Sequence, residues 1–143
     1  MKQIETDICI IGGGSGGLSL AAGAVQMGAR VVLFEGGQMG GDCLNSGCVP
    51  SKALLAAAKA AYLANGNAAM GITNTQPNID FAAVKAHVAD VIAQIAPHDS
   101  ITRFEALGVT VIQEMGRFTG PREVASTTHQ VRAKYIVIAS GSQ

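Results

Sequence analysis

The sequence predicts an α/β fold, in which a doubly wound parallel β-sheet is followed by a small antiparallel β-meander. Three observations support this fold class. Short β-branched runs alternate with Ala-rich segments long enough for helices, a glycine-rich turn separates the first strand from the first helix, and a stretch near the C-terminus divides into short runs with turn residues between them. Strands that alternate with helices favour parallel pairing, because each helix returns the chain to the edge where it started.

The first half of the chain is predicted to form two strands and two helices. Gly28 ends the first helix, and Pro50 makes the first turn of the second helix irregular. In chain order, the elements are a strand over Asp7–Ile11, a helix over Ser15–Met27, a strand over Arg30–Phe34, a loop over Gly36–Asp42 and a helix from near Cys43 to about Leu63.

The second half is predicted to supply a long helical segment and the remaining strands. Pro97 kinks or splits that helical segment and Gly108 ends it, while Pro121 and Thr127 mark turns of the meander. The elements are a loop over Asn65–Asn78, the helical segment over Phe81–Leu107, a strand over Val109–Gln113, the meander over Arg117–Ala133 and a last strand over Tyr135–Ala139.

Composition limits the classes of function. The 143 residues suffice for one domain with a core, the net charge is zero, and no basic stripe indicates a nucleic-acid partner. Three cysteines are too few for the disulfide framework of a secreted domain and fit a catalytic pair in a reducing, cytoplasmic compartment better. The apolar stretch over residues 8–34 is not expected to span a membrane, because Glu5 and Asp7 precede it and seven glycines interrupt it.

A glycine motif follows the first predicted strand. Gly12 permits a tight turn, Gly14 lets the backbone approach a pyrophosphate, and Gly17 lets the helix lie close to the strand. The N-terminus of that helix offers free N–H groups and the positive end of a dipole to the phosphates. Glu35, at the end of the second strand, is placed to bind ribose hydroxyls. The sequence therefore predicts a Rossmann-like dinucleotide site, without distinguishing FAD from NAD.

A close cysteine pair follows in the segment GDCLNSGCVPSK, over residues 41–52. On an ideal helix, Cys43 and Cys48 would have Cα atoms roughly 8.5 Å apart, whereas a disulfide needs about 4.4–6.8 Å. Cys43 is therefore expected at a distorted helix entrance, with Gly47 and Pro50 permitting the distortion. Lys52 lies four residues after Cys48, on the same helical face, where its charge favours a thiolate or an anionic flavin ring.

The remaining reactive side chains give weaker signals. Cys9 lies inside the first predicted strand and is expected to be a buried free thiol. His87, His98 and His129 form no cluster with the cysteines, so neither a metal site nor a Ser-His-Asp arrangement is predicted. A metal pair or two inert thiols remain the alternatives for the cysteine motif itself.

With these motifs, the chain resembles the N-terminal part of the FAD-dependent pyridine nucleotide–disulfide oxidoreductases, most closely dihydrolipoyl dehydrogenase and mercuric reductase. Four segments carry the resemblance, in the family's order: ICIIGGGSGG, VVLFE, GGDCLNSGCVPSK and IVIASGS. The resemblance implies an FAD-binding domain over residues 1–143, NAD(P) as second cofactor of the full-length enzyme, a homodimer, and a dithiol or disulfide substrate.

The resemblance also implies a role for each matching residue. The turn formed by Gly12, Gly14, Ser15, Gly16 and Gly17 lines the FAD pyrophosphate, and Glu35 binds the adenosine ribose. Asp42 and Cys43 contact the cofactor, Lys52 lies by the isoalloxazine ring, and Gly116 touches adenine. Cys43 is the thiol that meets substrate, and Cys48 is the thiol beside the flavin.

The chain also departs from the family pattern. Asp42 stands where Thr is usual, Glu114 replaces a frequent Gly, Gly36 and Gly37 follow the ribose acid where a basic or polar residue is common, and Ser140 replaces Thr. Family members are several times longer and carry a second nucleotide-binding motif, a dimerisation domain and a His-Glu pair. We therefore expect a fragment that is inactive alone. The alternatives left open are a mercuric reductase-like enzyme and a non-catalytic FAD-binding module.

Overall fold

The computed structural model describes residues 1–73 and 76–142 and confirms the predicted α/β architecture. The strands in this part of the chain are β1 (Lys2–Ile11), β2 (Val31–Phe34), β3 (Val109–Ile112), β4 (Arg117–Gly120), β5 (Glu123–Ala125) and β6 (His129–Ile138). The helices are α1 (Ser15–Gln26), α2 (Gly41–Asn45), α3 (Cys48–Ala64), α4 (Phe81–Ile95) and α5 (Ile101–Ala106), with 3₁₀ turns at Ala68–Met70 and Ala96–Asp99.

One sheet contains all six of these strands, in the order β3-β2-β1-β6-β5-β4. Strands β3, β2, β1 and β6 pair in parallel, whereas β6, β5 and β4 pair antiparallel and form the predicted meander. Because β1, β2 and β3 run in one direction, the segments that follow Ile11, Phe34 and Ile112 emerge at the same carboxyl edge. Ligands of open α/β sheets bind outside this edge.

The sheet has a buried cluster on each face. On one face, Leu18, Ala21 and Ala24 of helix α1 pack with Ile10 and Leu33. The small residues let α1 lie close to the sheet, as the sequence predicts. On the other face, Phe34 and Ile112 share a cluster with Val124 and Val131 of the meander. The meander therefore covers the face that α1 leaves open.

The expected break between the meander and a separate last strand is wrong. Strand β6 runs without interruption over the predicted end of the meander at Ala133 and the predicted start of the last strand at Tyr135. Its whole length pairs with β1, from Lys2↔His129 to Ile11↔Ile138, whereas only residues 130–132 pair with β5. The same pairing extends β1 back to Lys2, five residues before the predicted start at Asp7.

The helix predicted from Cys43 to Leu63 is two helices, α2 and α3, separated at Gly47. The carbonyl oxygen of Asp42 accepts hydrogen bonds from the N–H groups of Ser46 (2.9 Å) and Gly47 (2.6 Å), which closes α2. Pro50 is the third residue of α3, where its missing N–H is not needed, so the expectation that Pro50 distorts the helix is wrong. Gly47 provides the break.

The predicted split near Pro97 is confirmed, because Phe81–Leu107 divides into α4, the 3₁₀ turn and α5. The loop expected over Asn65–Asn78 contains the other 3₁₀ turn, and its residues 74 and 75 lie outside the described residues. Helices α3 and α4 contact each other beside the sheet. No helix in the described part of the chain combines the length and hydropathy needed to cross a membrane.

An ionic contact joins the middle of β1 and β6 to the residue before β2. The Asp7 carboxylate of β1 lies 3.2 Å from Nε of Arg30, which precedes β2, and 2.8 Å from Nζ of Lys134 in β6. The backbone N–H of Arg30 also donates to Asp7 (3.0 Å). Hydrogen bonds from Arg30, and then from Lys134, hold the pKa of Asp7 well below its ordinary value of 3.8.

We expect Asp7→Asn to lower the thermal unfolding midpoint by a few degrees at neutral pH, because the variant loses the anion that both cations contact. Since the folded-state pKa of Asp7 is depressed, its contribution is complete above the unfolded-state pKa and is lost as the pH falls through the folded value. Melting curves from pH 7 downward give the difference in unfolding midpoint between the parent protein and Asp7→Asn. This difference should be constant above about pH 5 and should shrink below about pH 4.

The control is Glu123→Gln, which removes an exposed ion pair whose Glu123 and Arg132 atoms lie 3.6 Å apart. An exposed pair of this kind contributes little, so its midpoint should hardly change. Equal decreases of the unfolding midpoint in the two variants would contradict the assignment. A decrease for Asp7→Asn that does not change with pH would contradict it as well.

Candidate functional site

A cleft of about 710 Å³ lies at the carboxyl edge of the parallel strands. Four segments of the chain line it: the turn after β1 (Gly12, Gly14, Ser15, Gly16), the turn after β2 (Glu35, Gly37, Gln38), the region of α2 and the start of α3 (Gly41, Asp42, Cys43, Asn45, Ser46, Cys48), and residues 139–142 after β6. The cleft thus brings together segments that are far apart in sequence.

The glycine-rich turn after β1 depends on close backbone contacts. Gly12 has φ +113°, and a Cβ there would collide with the carbonyl oxygen of Ala139. A Cβ on Gly17 would collide with the carbonyl oxygen of Gly12, so α1 begins directly against the end of β1. Gly14 is the N-cap residue of α1, and within the described residues no side chain caps this end. The N–H groups and the positive dipole end of α1 therefore remain available to an anion.

A second glycine contact positions helix α2. Gly40 forms a parallel bridge with Gly14, and the Gly40 N–H donates to the carbonyl oxygen of Gly13 (2.9 Å). A Cβ built on Gly41, whose φ is +59°, would lie 2.7 Å from the Cα of Gly14. The first turn of α2 can approach the first turn of α1 this closely because Gly41 has no side chain. Cys43, two residues later, is thereby held beside the candidate phosphate turn.

Glu35 links the turns that follow β1 and β2. One carboxylate oxygen accepts the N–H of Gly13 (2.6 Å) and the other accepts the N–H of Gly37 (2.6 Å). Each carboxylate oxygen has a further lone pair. The side chain lines the cleft with its orientation fixed, so the spare lone pairs can accept hydrogen bonds from hydroxyl groups.

The two cysteines lie on either side of the helix break. Cys43 is in the middle of α2, and Cys48 is the first residue of α3, where the positive end of that helix dipole lies. Both line the cleft as free thiols. The pKa of Cys43 is raised, chiefly by a hydrogen bond with the Cys48 side chain and then by burial, while the charge of Lys52 acts in the opposite direction. The ionisation of Cys43 is therefore affected by the neighbouring Cys48 side chain.

Cys9 is different, as the sequence predicts. It is a fully buried free thiol inside β1, and burial raises its pKa to about 12. A thiol of this kind is inert at neutral pH, because it is neither ionised nor accessible.

Polar side chains of α2 stabilise the loop that precedes the cysteines. The Asn45 amide donates to the carbonyl oxygens of Met39 (3.1 Å) and Gly41 (2.8 Å), and the Ser46 hydroxyl donates to the Asp42 carboxylate. Asn45 and Ser46 also line the cleft. The sequence analysis did not predict them as site residues. Their position between the two cysteines was the available signal, because residues between two cleft-lining residues tend to line the same cleft.

Most of the predicted site residues meet at this cleft. Those on its lining are Gly12, Gly14, Ser15, Gly16, Glu35, Asp42, Cys43 and Cys48. Gly17 lies behind the turn, and Lys52 is exposed on α3 outside the cleft lining. Gly116 is also outside it and packs against Phe34 and Val124, each of which has an atom 3.0 Å from a Cβ built there. The structure thus brings eight of the eleven predicted residues together.

Sequence reasoning missed residues 139–142 as site residues. They line the cleft because β6 pairs with β1, which brings the turn after Ile138 beside the turn after Ile11. The apolar run that ends in Ser140-Gly141-Ser142 carried the signal, since a turn at the carboxyl end of a parallel strand is a usual ligand position.

Comparison with known proteins identifies the family. The family model described as pyridine nucleotide-disulphide oxidoreductase matches residues 6–143. The chain belongs to this family. The mercuric reductase of Bacillus cereus is 32% identical over 138 residues, covering 96% of this chain and 22% of that protein. A dihydrolipoyl dehydrogenase of Pseudomonas aeruginosa is 36% identical over 153 residues, covering 100% of this chain and 32% of that protein.

A chloroplastic dihydrolipoyl dehydrogenase of Arabidopsis thaliana is 35% identical over 144 residues, covering 99% of this chain and 25% of that protein. The chain therefore spans at most a third of the length of these curated relatives. A solved structure shares the fold: the copper(II) complex of the HOCl-induced flavoprotein disulfide reductase RclA from Escherichia coli, with TM-score 0.77 and 23% identity, covering 96% of this chain and 28% of that one.

The features of the cleft fit a dinucleotide. The cleft has a glycine-rich turn in which Gly12 and Gly17 leave no room for side chains, an uncapped helix N-terminus for phosphates and an oriented carboxylate at Glu35 for ribose. The turn and the helix N-terminus suit the pyrophosphate of a dinucleotide, and the neighbouring carboxylate suits its ribose.

We expect Gly17→Ala to reduce the free energy of unfolding by about 1–3 kcal/mol, the usual cost of overpacking. The new methyl group collides with the carbonyl oxygen of Gly12, a backbone atom that cannot move without displacing the turn. Gly16→Ala in the same helical turn is the matched control, because no described atom lies within 4 Å of its Cβ. Urea denaturation of both variants measures the difference. A stable Gly17→Ala protein would show that the helix does not depend on this contact.

Proposed function

We propose that this chain is the FAD-binding portion of a flavoprotein disulfide oxidoreductase similar to dihydrolipoyl dehydrogenase. The full-length enzyme passes electrons between NAD(P)H, FAD, the Cys43–Cys48 pair and a dithiol or disulfide substrate. One observation carries the proposal: the contact of Gly41 with Gly14 holds a cysteine pair beside a turn shaped for a pyrophosphate. A protein that only binds a nucleotide has no need of that pair.

In this proposal the turn after β1 and the N-terminus of α1 hold the FAD pyrophosphate, through the backbone of Gly12, Gly14, Ser15 and Gly16. Glu35 accepts hydrogen bonds from the adenosine ribose. Asp42 and Cys43 lie on the remaining cleft wall. When bound, FAD supplies a two-electron carrier between the cysteine pair and the nicotinamide nucleotide.

The cysteine pair exchanges with substrate in balanced steps. A substrate thiolate attacks Sγ of Cys43 in the Cys43–Cys48 disulfide, which forms a mixed disulfide and releases the Cys48 thiolate. The second substrate thiol displaces Cys43, so the substrate leaves as a disulfide and the protein holds two thiols. The substrate has lost two electrons and two protons, and the protein pair has gained both electrons and, as two thiols, both protons.

Lys52 supports the negative charge that this exchange releases. It lies four residues after Cys48 on α3, and its charge opposes the effects that raise the pKa of Cys43. Cys48 is the first residue of α3, so the positive end of that helix dipole lies beside it.

The final electron acceptor separates two versions of the proposal. Relatives of similar identity include mercuric reductases as well as dihydrolipoyl dehydrogenases. Assays of the full-length enzyme with lipoamide, glutathione disulfide and mercuric ion, each with NADH and NADPH, distinguish the two versions.

We further propose that the full-length enzyme is a cytoplasmic homodimer. Residues 1–143 form one FAD-binding domain that does not turn over by itself, because a second nucleotide site completes the electron path.

The proposal predicts a flavin and a reversible disulfide in the same protein. Oxidised protein, digested without reduction, should give one disulfide between Cys43 and Cys48, with Cys9 alkylated only after denaturation because it is buried. Heat-released cofactor should be FAD by chromatography. Cys48→Ser should keep FAD and lose the disulfide, while Cys9→Ser should keep both.

Two results would count against it. Recovery of NAD without flavin rejects the cofactor assignment. Bound FAD together with cysteines that never form a disulfide favours the non-catalytic FAD-binding module.

We expect Lys52→Ala in the full-length enzyme to slow flavin reduction by about tenfold to a hundredfold while FAD affinity changes little. The lysine charge acts where negative charge develops, and Lys52 lies outside the cleft lining. Stopped-flow absorbance gives the reduction rate and a fluorescence titration gives the affinity. Lys59→Ala, one exposed lysine two turns further along α3, is the control and should match the parent protein. A collapse of affinity with a normal rate would make Lys52 a binding residue.

A further inference from the structure

The carboxylate of Asp42 lies at the break between the two helices that carry the cysteines. Asp42 is the second residue of α2, and its Oδ1 accepts a hydrogen bond from the Ser46 hydroxyl. A Cβ built on Gly47 would lie 2.9 Å from the other carboxylate oxygen, Oδ2. The side chain therefore extends along α2 toward Gly47, the residue that precedes α3, and it lines the cleft.

Both cysteines are near this carboxylate. Cys43 directly follows Asp42, and Cys48 directly follows Gly47. Because consecutive Cα atoms are about 3.8 Å apart, Oδ2 of Asp42 lies within about 8 Å of the Cα of Cys48. This separation is comparable with the Debye length at physiological ionic strength, which is about 8 Å. A negative charge at the cysteine pair therefore interacts with the carboxylate.

No positive side chain on the cleft lining offsets this carboxylate within the described part of the chain. The ionisable side chains on the lining besides the cysteines are those of Glu35 and Asp42, and both are acidic. The oxygens of Glu35 accept the N–H groups of Gly13 and Gly37, whereas Oδ2 of Asp42 has no hydrogen-bond donor among the described residues. The nearest cation along α3, Lys52, lies outside the lining.

A negative charge at this position acts on only one redox state of the pair. Reduction adds two electrons and two protons to the disulfide, breaks the S–S bond and leaves two thiols. When one thiol ionises, a proton goes to the solvent and the pair becomes negative, whereas the disulfide is always neutral. Since like charges repel, the Asp42 carboxylate disfavours the ionised dithiol and does not affect the disulfide. The disulfide is then harder to reduce.

We propose that the Asp42 carboxylate makes the reduced Cys43–Cys48 pair a stronger electron donor toward a disulfide substrate; this inference rests on the proposed redox role of the pair. Asp42 acts through its charge and takes part in no bond-making step. It stands where a neutral Thr is usual, so this pair is more reducing than the same pair with the usual residue. The exchange with substrate shifts toward reduction of the substrate disulfide.

The test is the equilibrium between the Cys43–Cys48 disulfide and dithiothreitol in the full-length protein freed of flavin. Dithiothreitol supplies two electrons and leaves as its cyclic disulfide, and mass spectrometry of the alkylated peptide gives the reduced fraction. Asp42→Asn should favour the reduced pair by about twofold to tenfold near pH 9, the range for one charge at this separation. Near pH 6 the two proteins should agree, because thiols ordinarily ionise at about pH 8.5.

Three control variants separate the charge of Asp42 from its shape and from the net charge of the protein. Asp42→Glu keeps the charge and should keep most of the parent equilibrium. Ser46→Ala removes the hydroxyl that donates to Asp42 but leaves the carboxylate, so it should match the parent protein. Glu105→Gln removes a charge from the exposed surface of α5, at the amino end of β3 and opposite the cleft edge, and should have no effect.

Lys52 provides a change of the opposite sign. It lies one helical turn after Cys48, so Lys52→Ala removes a positive charge and should favour the disulfide. Both effects should diminish in about 1 M salt, because salt screens exposed charges. Helix α4, which contacts α2 and α3, carries the exposed residues Lys85, His87 and Asp90. These residues are the same in every variant, so their charges cancel in the comparison.

The outcomes separate this inference from the proposed function. A reversible disulfide with the same equilibrium in the parent protein and in Asp42→Asn overturns the role of Asp42 and leaves the redox pair intact. A shift of equal size near pH 6 and pH 9, or an equal shift in Ser46→Ala, also overturns it, because a changed helix break then explains the result. A parent protein that forms no Cys43–Cys48 disulfide overturns the redox pair and this inference together. Thermal unfolding midpoints establish that each variant is folded.

Discussion

The contact between Gly14 and Gly41 is the constraint on which the candidate site depends. It brings the first turn of α2 against the first turn of α1, at a separation that a single Cβ would prevent. Because Gly40 also bridges Gly14 and donates to Gly13, the approach is fixed by backbone atoms and not by side chains that change rotamer. The glycine turn after β1 and the two cysteines can therefore share one cleft.

The break at Gly47 lets both cysteines line the cleft. An unbroken helix would separate residues five apart by more than a disulfide allows, whereas the two short helices that meet at Gly47 both place their cysteine, Cys43 or Cys48, on the lining of the cleft. The same break gives Cys48 a helix N-terminus of its own. One glycine thus serves both the geometry and the electrostatics of the pair.

The segments around the cleft are held to the sheet by charged and polar contacts. Asp7 connects the middle of β1 and β6 to the residue before β2 through Arg30 and Lys134. At the carboxyl edge, Glu35 joins the turns after β1 and β2, and Glu114 ties the segment after β3 to the meander. The loops that would meet a cofactor therefore start from ordered positions, which lowers the entropic cost of binding.

The sequence by itself determined the fold class, the glycine turn after β1, the acid at the end of β2 and the inert character of Cys9. These features depend on local chain geometry: glycine permits a close approach, β-branched runs form strands, and a thiol inside such a strand is buried. Only the tertiary structure decided that α2 and α3 separate at Gly47 instead of at Pro50, that β6 continues through Ala133, and that residues 139–142 join the cleft. The continuity of β6 and the position of residues 139–142 depend on which segments become neighbours in the sheet, and pairing between residues far apart in sequence leaves no local pattern from which it can be predicted.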